Sequence, residues 1–164
     1  MSNDTSSATD EEFQDPLENY DPPQYDDAFQ QALLEKSVAQ MHIQPFTSVT
    51  AETTVSAAME KLVGDQIACL LVEDSGKLVG VFSDRDVLDK VALEYDDVKD
   101  KPVSEVMATD PVYVYETDSA AAALNVMAVS GYRHVPVVNL DETIVGILSP
   151  NRMTQFMRES TGNE

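Results

Sequence analysis

The chain has 164 residues, 43% of them hydrophobic, enough to bury one good core or two small cores packed together. Its formal net charge is −20, from 30 Asp and Glu against 10 Lys and Arg, and such a field repels nucleic acid and anionic membranes. No apolar run approaches membrane-spanning length, the acidic N-terminus is neither a signal nor a transit peptide, and the lone Cys69 excludes an internal disulfide framework and fits a reducing cytoplasm.

Residues 1–26 are acidic and polar, and residues 1–30 hold nine Asp or Glu and no Lys or Arg. This composition predicts a disordered tail. Phe13, Leu17, Tyr20 and Tyr25 punctuate the acids, so a short interaction segment is the alternative. Residues 26–41 then read as a helix, with Phe29, Leu33, Val38 and Met41 apolar and Asp27 as N-cap. A short strand is expected over 47–50 and a helix from Glu52 with Val55, Ala58, Met59 and Leu62 on its apolar face. Residues 67–72 form a continuous apolar strand suited to a covered sheet. The turn Glu73-Asp74-Ser75-Gly76 leads into a return strand over 77–82, then a helix from Ser83 to about Leu93, then a polar linker over 94–97.

That scheme occurs twice. Met41 and Pro45 return as Met107 and Pro111, and Gly80 as Gly146, 66 residues on. Val55, Ala58 and Leu62 return as Ala120, Ala123 and Met127, and Leu70-Leu71-Val72 as Val135-Pro136-Val137. Each copy is a strand, helix, strand, tight turn, strand and helix. The copies divide the chain into a tail (1–26), a lead-in helix with repeat one (27–96), repeat two (97–158) and a terminal tail (159–164). The expected fold class is mixed α/β (α+β), with two βαββα repeats related by a pseudo-two-fold axis and their sheets packed together.

The stretch GVFSDRD, Gly80 to Asp86, carries the chemistry. A helix starting at the end of a strand offers free backbone N–H groups to an anion. Ser83-x-x-Asp86 is equally close to a capping box, which needs no ligand. The second copy reads GILSPNRM; Pro150 suits the first helical position, but Arg152 stands where repeat one has Asp86. No Walker-type loop or nucleophile elbow is present, and His42, His134 and Cys69 have no metal-binding spacing, so neither an enzyme nor a metal protein is expected.

The two copies resemble a tandem pair of CBS domains. The motifs that carry the resemblance are SVAQM and PVSEVM, then AETTVSAAMEKL and ETDSAAAALNVM, then IACLLVED and YRHVPVVN, then GVFSDRDVL and GILSPNRMT, over residues 37–158. The resemblance implies a regulatory module that binds an adenosine nucleotide (AMP, ADP, ATP or a related compound) as ligand rather than cofactor. The nucleotide would lie in the cleft between the repeats, and the module would act on a separate effector protein. It implies a lead-in segment packed on the neighbouring repeat and a homodimer formed through helices, for which the small-residue run Ala120–Ala123 with Met127 is suited. It also implies roles. Asp86 would accept from the ribose hydroxyls and Ser83 would bond the ribose–phosphate side. Thr53, Ile67, Ala68 and Cys69 would wall the adenine. Arg85, Arg133 and His134 would meet phosphate. A second site at Tyr132, Ser149 and Arg152 lacks its acid, so one conventional site per chain is expected. The alternative is a dimerisation or adaptor module with a vestigial pocket, which the missing acid favours.

Overall fold

The computed structural model describes residues 24–162. The expected tail up to residue 23 lies outside the described residues.

The lead-in helix α1 (Ala28–Glu35) is capped by Asp27, whose side chain accepts from the Gln30 amide. It stops earlier than expected, because Lys36 and Ser37 are extended, and a 3-10 turn over Val38–Gln40 carries the chain onward. Repeat one then builds β1 (Ser48–Thr50), α2 (Val55–Gly64), β2 (Cys69–Asp74) and β3 (Lys77–Ser83). After Ser83 the helix is short: α3 (Asp84–Asp86) widens at once into a π-helical turn over Val87–Val91. The stretch read as a polar linker contains a further turn, α4 (Tyr95–Val98). Repeat two has β4 (Ala108–Thr109), β5 (Val114–Tyr115), α5 (Ala120–Ser130), β6 (Val135–Val138), β7 (Ile144–Leu148) and α6 (Pro150–Thr161).

The strands form two sheets, ordered β1-β2-β3-β4 and β5-β6-β7. In each repeat the first strand runs parallel to the second and the second antiparallel to the third. Both hairpins shift register at matching places, Val72/Glu73 and Val137/Val138. These matched registers are the pseudo-two-fold relation that the duplicated sequence predicts. The sheets meet through a small cluster of Cys69, Leu71, Ile144 and Ile147.

Each repeat borrows the other's lead-in. Ala32, Val38, Met41 and Ile43 belong to the repeat-two core, where Val38 N–H donates to Asp118 C=O and Ala39 N–H to Glu116 C=O. Val98, Val103 and Val106 belong to the repeat-one core, where Lys101 C=O accepts from Val55 N–H and Val103 N–H donates to Thr53 C=O. The repeated glycines follow from this exchange. A Cβ at Gly146 would lie 2.7 Å from the Ile43 carbonyl, and one at Gly80 would lie 3.0 Å from the Ala108 carbonyl, so only glycine lets the borrowed segment cross the strand.

One side of the alanine run is turned inward. Ala120 and Ala123 are fully buried in the repeat-two core. They help fill the monomer core, while Ala122 is exposed and Met127 half-buried on the same helix.

Candidate functional site: two clefts at the repeat junction

Two clefts open where the repeats meet. One, of about 190 Å3, lies at the start of α3 and is lined by Ser83, Asp84, Arg85 and Asp86 together with Gly131, Tyr132, Arg133 and His134 from repeat two. The other, of about 620 Å3, lies at the start of α6 and is lined by Ser149, Asn151 and Arg152 together with Pro45–Thr47 and Asp65–Cys69 from repeat one. Cys69 and His134 line both. Small-molecule pockets commonly span about 300–1,000 Å3, so only the wide cleft has the size of a nucleoside site.

The expected site residues divide between the clefts. Ser83, Arg85, Asp86 and Arg133 meet in the narrow cleft, joined by Tyr132, which was assigned to the second site. Ile67 and Ala68, assigned to the adenine beside Asp86, instead line the wide cleft with Ser149 and Arg152. Thr53 lines neither; its hydroxyl bonds that of Thr50 at 3.1 Å. Pro45, Thr47, Asp65 and Asn151 are wide-cleft residues that sequence reasoning did not assign.

In the narrow cleft Asp86 closes the capping box. One carboxylate oxygen accepts from Ser83 N–H at 3.0 Å and from Ser83 Oγ at 2.8 Å, while the other accepts from Lys90 Nζ at 2.9 Å. Lys90 also donates to the carbonyls of Val106 and Met107, at 2.8 and 3.2 Å. Asp86, 8% exposed, thus ties the start of α3 to the lead-in of repeat two.

Repeat two reaches the same end with one residue. Ser149 caps α6, its Oγ accepting from Arg152 N–H at 3.5 Å. Arg152 cannot accept, so the box cannot close; its guanidinium turns back and donates to Ile147 C=O at 2.7 Å and to Pro45 C=O. Pro45 is in the lead-in of repeat one. The position matching Lys90 holds Phe156, buried in the repeat-two core. The acid–lysine pair of one repeat is therefore an arginine–phenylalanine pair in the other, and in each a cation, Lys90 or Arg152, ties the helix after the last strand to a lead-in carbonyl.

Burial sets the electrostatics of the shared wall. Burial raises the Cys69 thiol to about 12, and Asp86 and Asp84 add to the shift, so this thiol is inert. Burial lowers the pKa of His134; Asp84 opposes this, and Arg133 and Arg152 reinforce it. The ring is neutral at pH 7. Burial also lowers the pKa of Arg152, which remains charged. Among the described residues no helix is long and apolar enough to cross a membrane, and no cluster of three His, Cys, Asp or Glu could hold a metal ion.

The CBS domain family model matches residues 38–93 and 103–159. The chain belongs to the CBS domain family. It is 31% identical over 111 residues to the CBS domain-containing protein CBSCBSPB1 of Arabidopsis thaliana, covering 67% of this chain and 20% of the plant protein. The chain thus spans about a fifth of the length of such relatives. Among solved structures it is similar to the CBS domain protein NE2398, with TM-score 0.66 and 28% identity over 73% of this chain and 95% of that one. It is also similar to CBSX2 in complex with AMP, with TM-score 0.64 and 27% identity over 73% of this chain and 93% of that one. The chain is thus a tandem CBS pair.

Proposed function

We propose that this chain is a sensing module that binds an adenosine nucleotide at the junction of its repeats and acts on a separate effector protein. The observation that carries the reading is the wide cleft. It has nucleoside size, an apolar wall in Ile67, Ala68 and Ile147, and a cation, Arg152, held in place on carbonyls. Asp65, exposed at the end of α2, supplies a carboxylate for the donor groups of a nucleoside, since among the described residues that carboxylate accepts only a long 3.3 Å contact from Thr47 Oγ1. CBSX2, a neighbour above 25% identity, is a complex with AMP.

Asp86 points toward the adaptor reading instead. A carboxylate already accepting from Ser83 and Lys90 is a structural knot, and a ribose would have to displace one of them. We therefore assign the nucleoside to the wide cleft. Homodimerisation fits the outer faces of the helices, where Val63 and Leu88 are 78% and 72% exposed beside an apolar groove with Met59 and Leu62. The buried free thiol suits a reducing cytoplasm.

The test is a melting screen with AMP, ADP, ATP, NAD and S-adenosylmethionine, with light scattering on the same samples. A ligand at a hundred times its Kd adds about 2.7 kcal/mol, hence a rise of about 5–10 °C for a chain of this size. A dimer whose melting no nucleotide moves would establish the adaptor reading in its place.

A further inference from the structure

The narrow cleft holds cations that the fold leaves uncommitted. Arg85, Tyr132 and Arg133 are exposed around it, and among the described residues neither guanidinium has a hydrogen-bond or ion-pair partner. Lys77, Lys90, Lys99 and Lys101, by contrast, each hold a carboxylate. Tyrosine and arginine are the residue types that anchor protein interfaces. At about 190 Å3 the cleft is smaller than the usual small-molecule pocket and suits inserted side chains. Asp84 shares it, but its carboxylate accepts from the Arg85 backbone N–H at 2.8 Å, and the charge of Asp86 is met by Lys90. One stretch of the sequence has matching chemistry. Residues 1–23 hold seven Asp or Glu and no Lys or Arg, and within them DEEFQD, Asp10 to Asp15, sets Phe13 between Glu12 and Asp15.

We propose that this acidic stretch of the chain docks in cis in the narrow cleft, with Glu12 and Asp15 on Arg85 and Arg133 and Phe13 on the Tyr132 ring. Each guanidinium offers a planar fork that takes a carboxylate in a pair of bonds, and the two rings add an aromatic contact. The chain is long enough. Ala28, at the start of α1, lines one pocket with Glu159 and Ser160 near the end of α6, so the chain enters α1 beside that end. The 12 residues of α6 cover about 18 Å from there back to the junction, where Ser149 lines the wide cleft. The nine residue steps from Asp15 to Gln24 span up to about 30 Å. A net charge of −20 repels a free acidic partner, whereas a tether gives the chain's own stretch an effective concentration of about a millimolar. Docking would fill one junction cleft from within the chain and set the stretch against His134, which also lines the wide cleft. The contact needs no nucleotide, so it stands apart from the reading above.

The experiment is paramagnetic line broadening in the full chain without nucleotide. A spin label is attached at Ala8→Cys, four residues before Glu12; Cys69 is buried with its thiol pushed up to about 12, so it stays unlabelled. The label should broaden the amide signals of Arg85, Tyr132 and Arg133 and spare those of Ser75 and Gly76 at the far end of β2. Arg85→Ala/Arg133→Ala, on exposed side chains, should weaken docking about 10- to 100-fold, as the loss of charge-assisted bonds implies. Glu12→Gln/Asp15→Asn should do the same from the other side of the contact, and Asp84→Asn should strengthen it. Each variant is first shown to melt like the wild type. Broadening spread evenly over the surface, centred on Met59 and Val63, or unchanged in either double variant would overturn the inference. So would broadening that appears between a labelled copy and a separate isotope-enriched copy, since the contact would then join two chains.

Discussion

Replacing Asp86 by alanine separates the two roles that its sequence context offers. The structure gives its carboxylate three bonds: two from Ser83, at 3.0 and 2.8 Å, and one from Lys90 at 2.9 Å. Losing the reciprocal cap costs about 1 kcal/mol. Losing the ion pair adds about 1 kcal/mol, at the low end for charged groups, because the Lys90 side chain is 43% exposed and keeps the carbonyls of Val106 and Met107. The sum, about 2 kcal/mol, lowers Tm by about 4–8 °C for a chain of this size. Asp86→Asn keeps an acceptor for the Ser83 amide and should recover about half of the loss. Urea denaturation gives the stability of each variant, and titration with AMP gives its affinity. Nucleotide affinity should stay within about twofold of wild type, whereas loss of a ribose acceptor would cost about 10- to 100-fold. A variant that melts like wild type but no longer binds AMP would refute the structural role of Asp86 and return the ribose to the narrow cleft.

The matching change in repeat two has the opposite sense. Arg152→Asp should not create a ribose site; it faces the carbonyls of Pro45 and Ile147 with a carboxylate and should destabilise the chain by about 1–3 kcal/mol, read from the same denaturation curves, with tighter AMP binding as the contrary result. His134 should link both stability and binding to pH. Its folded pKa lies below the ordinary 6.5, so the unfolded ring protonates first and stability falls as pH drops below about 6.5; His134→Gln should remove that loss. A phosphate beside the ring favours the imidazolium, so AMP binding should take up a proton, measured by titration in buffers of different ionisation heat. Binding with no proton exchange would place the phosphate away from His134.

The fold was legible because its constraints repeat along the chain. Gly80 and Gly146 recur since a borrowed segment crosses each strand, and Thr54, Ser119 and Ser149 cap helices by a local rule that one stretch of sequence contains. The widening of α3 at Val87 has no such local signature, and a run of alanines does not show which face of α5 meets the core. The site was legible only in part, for a geometric reason. The pseudo-two-fold arrangement sets the α2–β2 turn of each repeat against the last helix of the other. Ile67 and Ala68 therefore meet Arg152, and Tyr132 and Arg133 meet Asp86. Reading each repeat as a unit groups Ile67 and Ala68 with Asp86, and Tyr132 with Arg152, whereas Arg133 was expected across the cleft from Asp86 and lies there. One signal was present and needed both repeats side by side: Asp86 with Lys90 becomes Arg152 with Phe156. Such a paired exchange has a physical meaning. An acid that becomes a cation cannot keep its donors, so it must find acceptors, and the lysine it once held becomes free to turn apolar. The carbonyls of the lead-in segments supply those acceptors in both repeats. The apparent loss of a ribose acid in repeat two is then a change in how the helix is tied down, and it leaves the wide cleft with a fixed cation where the narrow one has a neutralised pair.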